Sequence, residues 1–355
     1  MGTREAGRRH AVPRPPWWAF PLTGFGALLT VLSIATLGYS AVLLHSVDAA
    51  LEDKPLLPDQ EAPDPGDEIT GPLNILLVGA DLRVDRHNRA LADTIIVLHI
   101  DRDLDTATLV SIPRDLRVDI PDCGPDAGGA GCLDKINASY SLVGPKVEDS
   151  MANLATTLTD LTGVTFDGAA VVNFEGFLST VEMFGGIELC LSQDLYTEHG
   201  DGFYPAGCNE YDPSDALSIV RERKNWPDGD YGRQRMQQHF LRQLLKRAEQ
   251  EGYLSDPTKV VALIDAMAGQ IVYDLQGRDV VDFAVALRHI DPDTMQTLKL
   301  PSTTQNIDGV SYVVIQPGST DDVLSQSLFA AIRDDTLAAW VAANPGYVNA
   351  DPARR

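Results

Sequence analysis

Two carboxylates and one guanidinium are spaced to meet. Thr94–Ile100 (TIIVLHI) and Thr108–Ile112 (TLVSI) are β-branched runs joined by the polar stretch DRDLDTA. A polar turn of that size predicts an antiparallel hairpin. With the turn centred between Asp103 and Leu104, Asp93 faces Arg114 across the open end of the hairpin. A third apolar run, Asn74–Gly79 (NILLVG), ends in glycine and reads as a buried strand. Asp81 follows it by two residues. If that strand runs parallel to Thr108–Ile112, Asp81 emerges at the same sheet edge. Paired carboxylates with room between them suit a hard divalent cation such as Mg²⁺. An arginine beside them suits a phosphate oxygen. The plainer alternative is that Asp81 and Asp93 cap turns and Arg114 neutralises them.

A second cluster shifts that balance. Residues 221–247 hold eight Lys and Arg against three Asp and Glu, in a chain of 28 basic and 51 acidic residues with net charge −23. A local positive field on an acidic protein points to an anionic ligand. A solvated basic helix face accounts well for Arg235 and Arg242, but poorly for Arg233 and Gln237. At about 100° per residue, Met236, Phe240, Leu244 and Ala248 form an apolar stripe, and Arg233 and Gln237 fall at its N-terminal end. An arginine aimed at the core needs an acceptor, because an unpaired buried charge is costly. Asp230 could be that acceptor or the helix N-cap, and a phosphate at the helix start would gain from the dipole. Arg221 and Arg223 are two apart and, if extended, face one way. Both could then grip one diphosphate.

These residues need elements to hold them. Helices are expected near Val147–Leu161, Glu175–Phe184, Pro213–Val220 (capped near Asp212), Tyr231–Glu251, Lys259–Ala268, Val280–His289 and Asp321–Val341. Further strands are expected near Ala169–Phe174, Ile187–Leu191, Met295–Leu300 and Ser311–Ile315. Strands and helices interleaved along one region predict an α/β fold: a three-layer α/β/α core with a central sheet flanked by helices. The hairpin makes that sheet mixed. The apolar stretch Ala169–Phe177 and the helix stripe read more readily as plain core than as a lipid pocket.

The chain has 355 residues, 44% of them hydrophobic and 22% charged, which excludes a wholly disordered polypeptide. Its acidity argues against nucleic acid as a partner. Residues 1–16 form a basic tail expected in the cytoplasm. Trp17 to Leu44 carries no charged side chain, long enough for a transmembrane signal anchor over residues 17–45, with Trp17, Trp18 and Phe20 at the interface. A cleaved signal peptide is the rival reading. Residues 46–72 read as a solvated extracytoplasmic linker rich in Pro, Asp and Glu, residues 73–348 as the globular domain and 349–355 as a loose tail. The protein is thus expected in the cell membrane as a single-pass chain with its globular domain outside. Four cysteines, Cys123, Cys132, Cys190 and Cys208, suit disulfides better than zinc there. Sequence order suggests Cys123–Cys132 and Cys190–Cys208, among three possible connectivities.

The segments NILLVGADLR (74–83), LADTIIVLHID (91–101), TLVSIPRDLRVDIP (108–121), KINASY (135–140), VVNFEGF (171–177) and ALSIVRERKNWPDGDYGRQRMQQHFL (216–241) resemble the LytR–CpsA–Psr family of bacterial cell-envelope assembly. The resemblance implies a phosphotransferase that moves a glycopolymer from a polyprenyl diphosphate carrier to peptidoglycan, leaving a phosphodiester link. It implies Asp81 and Asp93 as Mg²⁺-associated carboxylates, and Arg114, Arg221, Arg223 and Arg233 on the diphosphate with Gln237 nearby. It also implies an apolar tunnel for the polyprenyl chain. The chain departs from the family at Leu91-Ala92-Asp93-Thr94, where many members have Arg-Ser-Asp-Thr. Arg89, two residues earlier, is the nearest arginine for that contact. The alternatives are a polyprenyl diphosphate pyrophosphatase and a non-catalytic lipid-glycan binding or regulatory protein.

Overall fold

The computed structural model describes residues 52–58, 68–81, 91–198, 202–253, 256, 259 and 271–350. The expected transmembrane helix, Arg89 and most of the expected helix at Lys259–Ala268 lie outside the described residues. Among the described residues no helix is long and apolar enough to cross a membrane.

In chain order the first half contains β1 (Glu52–Asp53), β2 (Leu73–Asp81), β3 (Leu91–Ile100), β4 (Ala107–Ser111), β5 (Arg117–Ile120), β6 (Cys132–Lys135), α1 (Ile136–Leu142), α2 (Val147–Thr162), β7 (Gly168–Val172), α3 (Phe174–Met183) and β8 (Ile187–Leu191). There follow β9 (Leu195–Tyr196), β10 (Phe203–Tyr204), β11 (Gly207–Tyr211), α4 (Pro213–Arg221), α5 (Asp230–Gln250), β12 (Ile271–Asp274), α6 (Val280–Ala286), β13 (Gln296–Lys299), β14 (Thr303–Ile307), β15 (Val310–Val314), α7 (Thr320–Arg333) and α8 (Leu337–Ala343).

The central sheet has seven strands in the order β1-β12-β7-β2-β3-β4-β13. The antiparallel run β2-β3-β4 forms its middle, with β7 parallel to β2 and β13 parallel to β4. The sheet is therefore mixed, and β2 and β4 point the same way. Strand periodicity divides the side chains between two layers. Leu76, Val78, Ile95, Val97 and Val110 join one hydrophobic cluster with Met151, Leu154 and Leu158 of α2 and Leu328, Phe329 and Ile332 of α7. Leu77, Gly79, Thr94 and Ile96 face the opposite layer, where α3, α4 and α5 carry a second cluster that includes Val181, Ile219, Met236 and Phe240.

Several expectations need correction. The strands expected near Ile187–Leu191 and Ser311–Ile315 are present, and they lie outside the central sheet in two-stranded ribbons, β8 with β11 and β15 with β14. The single helix expected over Asp321–Val341 is two, α7 and α8, divided at Asp335, whose φ of 54° is left-handed. Residues 52–57, expected to be solvated linker, belong to the fold. β1 pairs with β12, and the Leu56 and Leu57 amides donate to Asp274 Oδ2 at 2.8 and 3.1 Å. Leu56 is fully buried. Both disulfides, Cys123–Cys132 and Cys190–Cys208, are formed.

The longest helix, α5, is buried with much of its polar surface. Gln238 is fully buried, and its Nε2 donates toward Leu109 O (3.2 Å), Ser111 Oγ (2.9 Å) and Leu298 O (2.8 Å), while its Oε1 accepts from Asn349 (2.6 Å). His239 Nε2 accepts from the Cys190 amide at 3.0 Å. Arg242, expected on a solvated face, is instead buried and donates to Met295 O at 2.8 Å. The reason is that α5 is covered on more than its apolar stripe, so side chains one step round the helix also meet sheet backbone. Arg235 is partly exposed and pairs with Asp228. Replacing Gln238 with Leu strands buried carbonyls and should lower the unfolding free energy by about 2–4 kcal/mol, read as a lower urea midpoint with an unchanged m-value.

Candidate active site

The site begins with an irregularity in the sheet. Gly79 pairs with Thr94 and Ala80 with Ala92, so Asp93 is the extra residue of a β-bulge in β3. A bulge leaves its extra residue out of the ladder and turns its side chain. Asp93 and Thr94 consequently both line the cavity on one face of the sheet. The unpaired Asp93 carbonyl accepts from Arg233 Nη2 at 3.0 Å. The Asp93 carboxylate pairs with Arg114 Nη1. The hairpin register expected from sequence is thus present, because Ile96 pairs with Ser111 and the same count places Arg114 opposite Asp93.

Arg114 sits on a turn fixed from several directions. The Leu116 amide donates to Pro113 O (2.9 Å), Asn137 N to Arg114 O (3.1 Å), Ile136 N to Leu116 O (2.7 Å) and Val313 N to Asp115 O (2.9 Å). The run KINASY therefore places the first amides of α1 where they hold this turn. Lys135 adds an ion pair to Asp115 at 2.9 Å. Arg114 is a side chain on a rigid support, as a site residue needs to be.

The start of α5 supplies the rest. Arg233 is 5% exposed. It is held by Asp230 Oδ1 at 2.7 Å and by the Asp93 carbonyl, while its Nε has no hydrogen-bond partner among the described residues. Burial pulls its pKa below the usual arginine value, opposed chiefly by the charge of Asp230. Asp230 is thus the acceptor of Arg233, and Gly229, at φ 58° and ψ −118°, is the N-cap. Gly232 has its own reason: a Cβ there would lie 2.4 Å from Trp226 Cβ and Cγ. The Asn-Trp-Pro-Asp-Gly-Asp-Tyr-Gly segment is a compact turn that packs Trp226 beneath the helix start.

Arg221 ends α4 and Arg223 lies two residues on, past the extended Glu222. Both line the cavity, as expected of residues two apart on an extended segment. Glu222 shapes this segment. Its carboxylate accepts from the amides of Glu198 (2.9 Å), Arg223 (2.9 Å) and Asn225 (3.0 Å). Desolvation pushes the Glu222 pKa up, but these backbone donors together outweigh it and hold the value below the usual glutamate range.

The cavity they enclose has a volume of about 480 Å³. Its mouth gathers Asp93, Arg114, Arg221, Arg223, Lys224, Arg233 and Gln237, with Glu198 and Glu222. Five cations face three carboxylates in a protein of net charge −23. Its remaining wall includes Leu77, Ile96, Val172, Phe177, Leu217, Val220, Phe240, Leu241, Leu244 and Ile271. Phe177 and Phe240 stack on each other in this wall, with centroids 4.3 Å apart. Val172 and Phe177 and part of the helix stripe therefore line a pocket, whereas Ala169 and Val171 are core, as expected. An apolar chamber with a cationic mouth is suited to an amphiphile with an anionic head.

Six of the eight site residues expected from sequence thus line one cavity. Asp81 closes β2 in register with Leu91, at the sheet edge expected for it, but its side chain and Arg89 lie outside the described residues. Among the described residues there is no group of three or more His, Cys, Asp or Glu fit to hold a metal. Sequence reasoning missed Lys224 and Glu198. Lys224 belongs to the basic run it singled out, while Glu198 carried no local signal.

The LytR_cpsA_psr family profile matches residues 44–327, and the chain belongs to this family. LcpA of Corynebacterium glutamicum, a cell wall biosynthesis protein, is 30% identical over 308 residues, covering 79% of this chain; the chain spans 58% of LcpA's length. TagU of Halalkalibacterium halodurans, a polyisoprenyl-teichoic acid–peptidoglycan teichoic acid transferase, is 29% identical over 271 residues, covering 72% of this chain and 80% of TagU. The crystal structure of Bacillus subtilis TagV shares the fold, with a TM-score of 0.59 and 21% identity over 75% of this chain and 98% of TagV.

The Glu222 contacts predict a pH dependence. A folded pKa below the unfolded one means that the unfolded chain binds the proton first. The Glu222 contribution is therefore complete above the usual glutamate value and disappears as the pH falls through the lower folded value. Melting temperature followed downward in pH should fall in wild type, and less steeply in Glu222→Gln, which starts lower.

Proposed function

We propose that this protein transfers a glycopolymer from a polyprenyl diphosphate carrier to peptidoglycan, forming a phosphodiester link, with the domain held outside the membrane by a signal anchor over residues 17–45. The observation that carries this reading is a cavity in which an apolar wall meets four arginines. A diphosphate at the mouth and an isoprenoid tail inside would satisfy both halves. Family membership supports it, as does the activity named for TagU.

Arg114, Arg221, Arg223 and Arg233 bind and orient the diphosphate. A hydroxyl of the acceptor sugar attacks the phosphorus that carries the glycopolymer. The new oxygen–phosphorus bond forms as the bond to polyprenyl phosphate breaks, and that phosphate leaves with its tail. Asp93 or Asp81 takes the proton of the attacking hydroxyl. The guanidinium groups stabilise charge on the transferring phosphoryl group and leaving oxygen, where preorganised donors act most strongly. The apolar wall limits water near the phosphorus and so favours transfer over hydrolysis.

Mg²⁺ suits the donor set, since this ion is commonly held by one or two carboxylates together with substrate phosphates and water. Asp93 and Asp81 would hold it. Bound there, it would neutralise diphosphate charge. The small number of carboxylates at this mouth fits that mode better than an all-protein cage.

The test uses the purified chain with a short polyprenyl diphosphate, with and without Mg²⁺ and acceptor glycan. Arg114→Ala should cut turnover by about 10²–10³-fold with little loss of stability, and full activity in that variant would remove Arg114 from the reaction. Chelation should abolish turnover and added Mg²⁺ restore it; turnover unaffected by chelation would exclude a metal requirement. Product with the acceptor should be a phosphodiester-linked conjugate, whereas free phosphate at an equal rate with and without acceptor would make the protein a pyrophosphatase.

A further inference from the structure

Lys224 has no role in the site as described so far. It lines the same cavity as the arginines, and its ammonium is held by Glu198, whose oxygens lie 2.9 and 2.8 Å away. Each of the three carboxylates that line the cavity has partners. Asp93 pairs with Arg114, and Glu222 is occupied by backbone amides. Glu198 has Lys224 as its side-chain partner, and its own amide donates to Glu222. It is thereby tied to the segment that bears Arg221 and Arg223. A carboxylate fixed at the mouth of an anion site repels the anion unless a cation masks it.

The cations of the mouth also differ in depth. Side-chain exposure rises from 6% at Arg233 to 20% at Arg114 and 68% at Lys224. If an isoprenoid tail occupies the apolar chamber, the phosphate joined to it lies deep and the second phosphate lies outward. An exposed ion pair such as Lys224–Glu198 is among the weakest interactions in a protein, and a diphosphate carries more negative charge than the single carboxylate it displaces. Exchange of Glu198 for phosphate is therefore favourable for Lys224.

We propose that Lys224 is a phosphate-binding residue that the resting protein keeps on Glu198, and that it engages the outer phosphate of the diphosphate. This rests on the diphosphate reading given above. It gives the site a means of telling carrier from product. The polyprenyl phosphate left after transfer lacks the outer phosphate, so Lys224 returns to Glu198 and the hold on the lipid weakens. Glu198 thus opposes binding and assists release, while Lys224 does the reverse.

The experiment measures dissociation constants by calorimetry for the full chain in detergent, with farnesyl diphosphate and farnesyl monophosphate at one ionic strength. Lys224→Gln should weaken farnesyl diphosphate about ten-fold and change farnesyl monophosphate by less than about two-fold. Lys224→Arg should restore most of the loss. Glu198→Gln should tighten farnesyl diphosphate about three-fold. Both changes lie at exposed side chains, so melting temperatures should match wild type. Lys224→Gln with unchanged preference for the diphosphate would overturn the proposal. So would equal weakening by Lys224→Gln and Glu198→Gln, which would make the pair a structural clasp. Wild-type protein that binds neither compound would overturn it together with the diphosphate reading, whereas the first two outcomes leave that reading standing.

Discussion

A guanidinium buried to the extent of Arg233 must find acceptors wherever the fold puts it, and much of the site follows from how it does so. One acceptor, Asp230, comes from the first turn of the same helix at 2.7 Å. The other is a main-chain carbonyl that a regular sheet would have used in its own ladder. The β-bulge at Asp93 releases that carbonyl, and the same irregularity turns the Asp93 carboxylate to Arg114. Removing one extra residue from β3 would return the carbonyl to the ladder, shift the carboxylate and strand the arginine together. These three groups are therefore one structural unit, and the tight turn around Gly229 and Gly232 brings α5 close enough to complete it.

The helix that carries Arg233 and Gln237 is held in an unusual way for a core element. Apolar packing alone tolerates sliding, because one methyl contact substitutes for another. Hydrogen bonds from Gln238 and Arg242 to backbone carbonyls, and from the Cys190 amide of the ribbon to His239, fix both the rotation and the height of α5. A polar network of this kind is costly if half satisfied and specific when complete. It suits a helix whose first turn must present charged groups at one place. The apolar side of the same helix, with Phe240 against Phe177, is left to form the wall of the chamber.

Much of this was legible in the residues. The register that sets Asp93 against Arg114 came from β-branched alternation and a polar turn, and the turn is closed where expected, with Leu104 N bonded to Asp101 O and Leu104 at φ 58°. Arg233 and Gln237 betrayed themselves by lying on an apolar stripe. The bulge was not legible, since one extra residue leaves no mark in so short a pattern. Arg242 was misread because periodicity identifies the apolar face of a helix but not how much of the remainder another layer covers. The docking of residues 52–57 depends on Asp274, a carboxylate 218 residues from Leu56, and composition alone describes such a stretch as solvated. Glu198 entered the site only because a short ribbon brings it beside Lys224.

The size of the chamber bears on the fate of the lipid. A cavity of about 480 Å³ is of the size that takes a small ligand, about 300–1,000 Å³, and is too small for the whole of a long polyprenyl chain. On the diphosphate reading, such a tail keeps the rest of its length outside the protein. Such a protein would grasp a carrier by its head and first few units without extracting it from the bilayer, and tails of different length would look alike to it beyond that point. Selectivity among carriers would then fall to the phosphates and the sugar, and the cost of desorbing a long hydrocarbon would not enter the catalytic cycle.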